Sequence, residues 1–159
     1  MQAEMSYQIS RTVKEDLSGI KSILETIELF PPEMLEEMIA DFLENPNSNA
    51  LWLTYSENEI PLGFVFCNIE MLTDGTYNMY AIGVKNYQQG KGIGAKLVNA
   101  VETQLRTKGG RVLIVDTSST DEFGATRNFY LKNGYEKEAV IRDFWAEGDD
   151  KVVFRKKLA

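Results

Sequence analysis

No histidine occurs anywhere in this sequence. That absence excludes a His-dependent triad, a His-ligated metal and imidazole acid–base chemistry, and with them much of the hydrolase and metalloenzyme repertoire. Cys67 is the single cysteine, so no disulfide forms within the chain and a reducing, cytoplasmic setting is expected. No apolar run approaches the roughly 18 residues of a membrane span, so no membrane association is expected. Met1 to Tyr7 is polar and holds no apolar segment, so no secretory signal is expected either. Basic residues are the minority, 17 against 24 acidic, and the net charge is −7. A polyanion would be repelled, which argues against nucleic acid, whereas a cationic small molecule or basic peptide suits this balance. Repeats, linkers and low-complexity tracts are missing too. A chain of 159 residues with 43% hydrophobic content is expected to form one domain, 1–159, burying about 70% of its unfolded surface.

What the sequence does have is a glycine cluster just past its middle, Gln89-Gly90-Lys91-Gly92-Ile93-Gly94. Upstream, Met79 to Val84 has the composition of a buried strand. Downstream, Ile93, Leu97, Val101 and Leu105 recur every fourth residue, with Val98 beside them, which predicts a helix with one apolar face. Glu102 and Arg106 are expected as an i,i+4 pair on its outer side, and Lys108-Gly109-Gly110 as its stop. In a strand–turn–helix unit, glycines let consecutive backbone N–H groups converge at the positive end of the helix, which suits a phosphate or pyrophosphate. A tight connection with no ligand would use the same residues. A nucleoside-triphosphate P-loop is excluded, because Lys85 and Gly92 stand where glycine and Ser/Thr are needed. The dinucleotide fingerprint matches at Gly90, Gly92 and Ala95, with Asp116 about 20 residues on. Against it, Asn86 to Gln89 separate strand from glycine, and too few residues follow Thr117 for the remaining strand–helix units.

The rest of the chain reads as follows. Tyr7 to Arg11 is a strand candidate. Thr12 and Glu15 form a candidate capping box before Leu17, Ile20, Leu24 and Ile27 at helical spacing. Pro31-Pro32 breaks that helix and starts another, whose Glu33, Glu36 and Glu37 form a solvated face. Leu51 to Tyr55 and Gly63 to Met71 are strands joined through Ser56 to Glu59, and Thr73-Asp74-Gly75 turns into the strand ending at Val84. Cys67 belongs to the core. Arg111 to Val115 is a strand parallel to 79–84, because a helix crosses between them. Glu122 to Tyr135 is helical with a stop at Gly134, and Ala139 to Trp145 and Lys151 to Leu158 close the chain as a hairpin.

Two stretches carry a resemblance. Gln89-Gly90-Lys91-Gly92-Ile93-Gly94 is similar to the Q/R-x-x-G-x-G/A turn with which GNAT-superfamily N-acetyltransferases hold the pyrophosphate of acetyl-CoA. Thr126-Arg127-Asn128-Phe129-Tyr130-Leu131-Lys132-Asn133-Gly134-Tyr135 resembles the same family's A-R-x-F-Y-x-x-x-G-F helix. The order β-α-α-β-β-β-α-β-α-β-β is also that family's. The resemblance implies an α/β (α+β) fold, with a mixed, mostly antiparallel sheet flanked by helices. It implies acetyl-CoA as co-substrate and no metal. The implied activity is an N-acetyltransferase acting on a small-molecule or peptide amine; a non-catalytic acyl-CoA-binding module is the alternative. A homodimer is an allowed assembly.

Carried over residue by residue, Ile82 and Val84 would offer backbone groups to the pantetheine arm, with Gly83 allowing close approach or a bulge. Amides of Gln89, Gly90, Lys91, Gly92, Ile93 and Gly94 would take the pyrophosphate. Splaying of the strand at 79–84 from that at 111–115 would open the cleft, and a backbone N–H near Val84 would meet the oxyanion. Tyr130 occupies the family's position for protonating the departing thiolate; packing beside Phe129 is its alternative role. Many members place a glutamate at the start of the strand before the glycine turn, and here that region is Thr76-Tyr77-Asn78, without a carboxylate. Glu70, Tyr80, Asp116 and Asp143 are the candidates to replace it. Arg142 to Trp145 are candidates to line the acceptor pocket, or ordinary sheet residues.

Overall fold

A computed structural model describes residues 6–159. Of the N-terminal stretch expected to hold no secretory signal, Met1–Met5 lie outside the described residues. The elements are β1 (Tyr7–Arg11), α1 (Leu17–Leu24), α2 (Leu35–Glu44), β2 (Leu51–Glu57), β3 (Ile60–Ile69), β4 (Thr76–Val84), α3 (Ile93–Thr107), β5 (Val112–Ser118), α4 (Gly124–Lys132), β6 (Glu136–Ala146) and β7 (Asp149–Lys157). Their order is the one expected. The strands form one sheet in the order β1-β2-β3-β4-β5-β7-β6. β4 and β5 run parallel, as the intervening helix requires, and β1–β2, β2–β3, β5–β7 and β7–β6 are antiparallel. Two compact units divide the chain: the described residues up to Asn68 with Ala81–Thr103, and Ile69–Tyr80 with Gln104–Ala159. No helix among the described residues is long and apolar enough to cross a membrane.

In the first unit, β2 is buried on both faces, from Leu51 to Tyr55. Trp52 stacks on Phe66 at 4.3 Å between ring centroids. Ile20 and Ile23 of α1 and Leu35 and Ile39 of α2 are fully buried, each contributing roughly 1.5–3 kcal/mol of transfer energy. The capping box expected at Thr12 and Glu15 does not form. Thr12 is buried, its hydroxyl 2.7 Å from that of Thr54. The N–H of Val13 instead donates to the Asp16 carboxylate at 3.0 Å. Asn58 and Glu59 both adopt positive φ, 50° and 66°, the signature of a two-residue turn that matches the twist of the strands it joins. On α3, Ile93, Leu97, Val98 and Val101 are buried as the periodicity predicts. Glu102 is not on an outer face: it is 2% exposed, because its side of the helix is covered as well. Cys67 is buried, and burial, then the charge of Glu102, push its thiol well above the ordinary range. Lys21 pairs with Glu36 on the solvated face of α2.

In the second unit, Leu113 and Val115 of β5 and Val152 and Phe154 of β7 are buried, and Tyr130, the one buried residue of α4, sets its ring against that of Phe154. The end of α4 explains the spacing of its motif. Gly134 adopts φ 89°, open to glycine without steric cost. The Tyr135 N–H donates to the Tyr130 carbonyl at 3.0 Å and the Gly134 N–H to that of Leu131 at 3.2 Å. These two bonds are the Schellman closure, and its accompanying apolar contact is the Tyr130–Tyr135 ring pair at 5.9 Å. β6 forms the sheet edge and is exposed along its whole length. Its ladder to β7 is interrupted twice, between Lys137 and Ala139 and between Ile141 and Ala146.

Candidate functional site

The glycine turn belongs to the first unit. A short turn over Asn86–Gln88 leads into it, closed by the Gln88 N–H on the Lys85 carbonyl at 2.8 Å and tied to Thr26 through the Asn86 N–H at 3.1 Å. Gly90 and Gly92 follow with φ of 81° and 85°, and nothing lies within 4 Å of where a Cβ would stand at either. Glycine is required there by the backbone and not by crowding, so the space above the turn is open to a ligand. The Gly92 carbonyl accepts from the Lys96 N–H at 3.1 Å. The N–H groups of Ile93, Gly94 and Ala95 therefore begin α3 without intrahelical acceptors, at the positive end of its dipole. Lys91 Nζ donates to Gln88 Oε1 at 3.1 Å. The Gln89 side chain turns back and donates to the Val84 carbonyl at 3.1 Å, a brace between turn and strand that the sequence alone did not suggest.

On β4, Ile82 and Val84 are half-buried. Gly83 is glycine for close packing: a Cβ there would come within 2.8 Å of Ile27 Cδ1 and of Phe64 Cε1. The β4–β5 ladder is short, pairing Thr76–Asn78 with Val112–Ile114. β5 then runs on to Ser118.

The second unit holds a polar cluster. Alternation along β4 puts Asn78 and Tyr80 on one face, and the register of β5 brings Asp116 to that same face. Asn78 is buried and its Nδ2 donates to Glu70 Oε1 at 2.9 Å and to Asp116 Oδ2 at 3.4 Å. The Tyr80 hydroxyl donates to Glu70 Oε1 at 3.1 Å. Burial of that hydroxyl first, then the bond to Glu70 and the nearby charge of Asp116, push its pKa up to about 12. Lys151 Nζ lies 3.4 Å from Asp116 Oδ2 and 4.4 Å above the Phe144 ring. Asp116 Oδ1 is buried without a partner. Phe144 and Trp145 stand edge-to-face at 4.7 Å, and the indole N–H of Trp145 donates to the Thr117 carbonyl at 3.2 Å.

Of the four candidate bases, Glu70, Tyr80 and Asp116 thus meet in one network, while Asp143 is engaged elsewhere. Its N–H donates to Asp150 Oδ1 at 2.9 Å, its Oδ1 accepts from the Gly148 N–H at 2.9 Å, and its φ is 55°. Asn78, the hub, and Lys151 were not singled out by sequence. An amide inside a buried β-run was the available signal for Asn78. Tyr130 is 4% exposed, its ring 5.4 Å from Phe129 and 5.5 Å from Phe154. Among the described residues, no group of three or more Cys, Asp or Glu is arranged to hold a metal ion.

A strand, a glycine turn at a helix N-terminus and a Schellman-closed aromatic helix stand here in a mixed, mostly antiparallel α/β fold. The model of the acetyltransferase (GNAT) family matches residues 13–135, and the chain belongs to that family. A GNAT-family protein from Desulfovibrio desulfuricans superposes with a TM-score of 0.90 at 26% identity, over 97% of this chain and 100% of that one. The ribosomal-protein-S18-alanine N-acetyltransferase of Escherichia coli gives 0.78 at 16% identity, covering 97% and 95%. An aminoglycoside 6'-N-acetyltransferase solved with coenzyme A gives 0.76 at 18% identity, covering 96% and 97%. A search of curated proteins returned no match.

Proposed function

We propose that this protein is a cytoplasmic acetyl-CoA-dependent N-acetyltransferase that acetylates an amine of a small molecule or peptide by direct attack on the thioester. The observation that carries this is the Gln89–Gly94 turn, with two left-handed glycines under open space ahead of α3. It supports a pyrophosphate held by the amides of Gln89 to Gly94, with the backbone of Ile82 and Val84 along the pantetheine arm. The aminoglycoside enzyme with its coenzyme A and the S18-alanine enzyme support the cofactor and the two acceptor classes.

The chemistry has three demands. The amine must lose a proton before it attacks, because an alkylammonium with a pKa near ~10.4 has no lone pair to offer. The tetrahedral oxyanion needs a donor, for which the backbone N–H near Val84 is the family's choice. The departing thiolate needs a proton, and Tyr130 supplies it. A phenol near ~10 is a weaker acid than a thiol near ~8.5, so complete transfer is uphill by roughly 2 kcal/mol and the proton is shared as charge develops.

The test is thermal shift with CoA, acetyl-CoA and NAD, followed by CoA thiol release with spermidine, an aminoglycoside and an alanine-initiated peptide. Acetyl-CoA should raise the melting temperature where NAD does not, and at least one amine should accelerate thiol release. Stabilisation by acetyl-CoA without release by any amine would make the protein a non-catalytic acyl-CoA-binding module.

A further inference from the structure

We propose that Glu70 binds the acceptor's ammonium and accepts its proton, with Asn78 and Tyr80 as the residues that position it. This rests on the N-acetyltransferase reading above and names the residue which that reading leaves open.

The other three candidates are committed. Tyr80 is a donor to Glu70 and keeps its proton. Asp143 closes the β6–β7 hairpin through its own side chain. Asp116 has Lys151 as counter-charge at 3.4 Å. Glu70 is different. Both of its hydrogen bonds come from neutral donors and both land on Oε1. Oε2 is left to a further donor, and no cation pairs with Glu70 among the described residues. A carboxylate in that state favours a cation as its next partner.

Its position is well fixed. The Glu70 N–H donates to the Thr76 carbonyl at 2.8 Å, and the Glu70 carbonyl accepts from the Thr73 hydroxyl at 2.8 Å. Backbone and one carboxylate oxygen are thus both held, which leaves the second oxygen aimed. A second observation points the same way. Asp116 Oδ1 is buried without a partner, beside the same Asn78 amide. A buried acceptor without a donor is unfavourable unless a ligand or water completes it. An ammonium has three N–H donors, enough for both carboxylates. Charge agrees: Glu70 and Asp116 bring two negatives and Lys151 one positive, so the cluster is short by one positive charge.

The step balances as follows. One ammonium proton passes to Glu70 Oε2, and the freed lone pair forms the C–N bond to the thioester carbonyl carbon. Collapse of the adduct breaks the C–S bond; a second nitrogen-bound proton leaves as the sulfur gains one, giving the CoA thiol. The amide keeps the third hydrogen, and Glu70 returns its proton to water.

The test is Glu70→Gln, whose amide oxygen still accepts from Asn78 and Tyr80, so the melting temperature and its shift by acetyl-CoA should match wild type. Kinetics are read from pH 6 to 9 with spermidine and with an alanine-initiated peptide. Wild type takes up the ammonium and should show kcat/KM nearly flat across this range. The variant can use only amine that arrives neutral, about 1 in 2,500 of an alkylamine at pH 7 but about 1 in 10 of an α-amino group. Its deficit with spermidine should be about 100-fold or more at pH 7, shrinking about tenfold per pH unit, and be far smaller with the peptide. Glu70→Asp should restore the flat profile with reduced kcat, and serves in the same comparison should Glu70→Gln misfold. A Glu70→Gln enzyme with wild-type rate and profile overturns the role of Glu70 and leaves the N-acetyltransferase reading standing. Acetyl-CoA binding with no thiol release by any amine in wild type overturns both.

Discussion

Substitution at Gly92 separates what the turn needs for folding from what it needs for binding. Gly92 has φ 85°, and no atom lies within 4 Å of the point a Cβ would occupy. Alanine there meets no clash and costs only the left-handed backbone, roughly 1–2 kcal/mol. For a chain of this size that is a fall of about 2–8 °C in melting temperature. Gly92→Glu carries the same backbone cost and adds a negative charge. At about 5 Å from a doubly charged pyrophosphate, the repulsion is ~2 kcal/mol at an effective dielectric of ~80 and ~7 kcal/mol at ~20. CoA should therefore bind at least about tenfold more weakly, and up to ~10⁵-fold, at ~1.4 kcal/mol per decade. Because the turn is exposed, raising ionic strength from ~0.1 M to ~1 M should recover part of the loss. Calorimetric titration with CoA at the two salt concentrations reads the effect, on protein whose urea transition keeps its slope. Equal CoA affinity in wild type and folded Gly92→Glu would refute the placement of the pyrophosphate.

Three further outcomes are expected. Tyr130→Phe should lower kcat by at least about tenfold while leaving the acetyl-CoA thermal shift intact, since only a hydroxyl is removed; unchanged kcat with chemistry rate-limiting would leave Tyr130 as packing alone. Gly134→Ala places a side chain at φ 89° and loosens the Tyr130–Tyr135 closure, so urea denaturation should show about 1–2 kcal/mol lost; a neutral result would mean that the closure re-forms around alanine. The Tyr80 hydroxyl, raised to about 12 by burial and then by Glu70, binds its proton more tightly folded than unfolded, where ~10 is ordinary. Its contribution to stability is fully present below pH ~10 and lost as pH rises towards 12. Phenolate absorbance of wild type minus Tyr80→Phe should thus appear late, and earlier in the Glu70→Gln background.

Local chemistry made much of this molecule legible. The stripe Ile93, Leu97, Val101 with Val98 is the buried face of α3, and Gly134 with its flanking tyrosines is a complete helix stop whose every bond spans six residues or fewer. Such features depend on neighbours in the chain, so spacing reveals them. The errors arose where a distant partner outbid a near one. Thr12 could have capped a helix but is held by Thr54, and Glu102 looked solvent-facing because periodicity says which face is apolar and not whether the opposite face is covered as well. The polar cluster was legible only as separate candidates. Asn78 joins Glu70 to Asp116 across 8 and 38 residues of sequence, a convergence that strand register creates and no local pattern announces.

β6 ends the sheet with Val140, Ile141, Phe144 and Trp145 exposed, a composition that invites a foreign strand to add on. Its two ladder breaks restrain that. Between them the register with β7 runs uninterrupted only over the three residues Ala139–Ile141, whereas stacked fibril segments need about six or seven. Beyond Ile141, four residues stand against Asp150 alone, and the left-handed Asp143 turns the chain out of line. The aromatic residues of this edge can therefore stay exposed while its backbone makes a poor template for edge-to-edge growth.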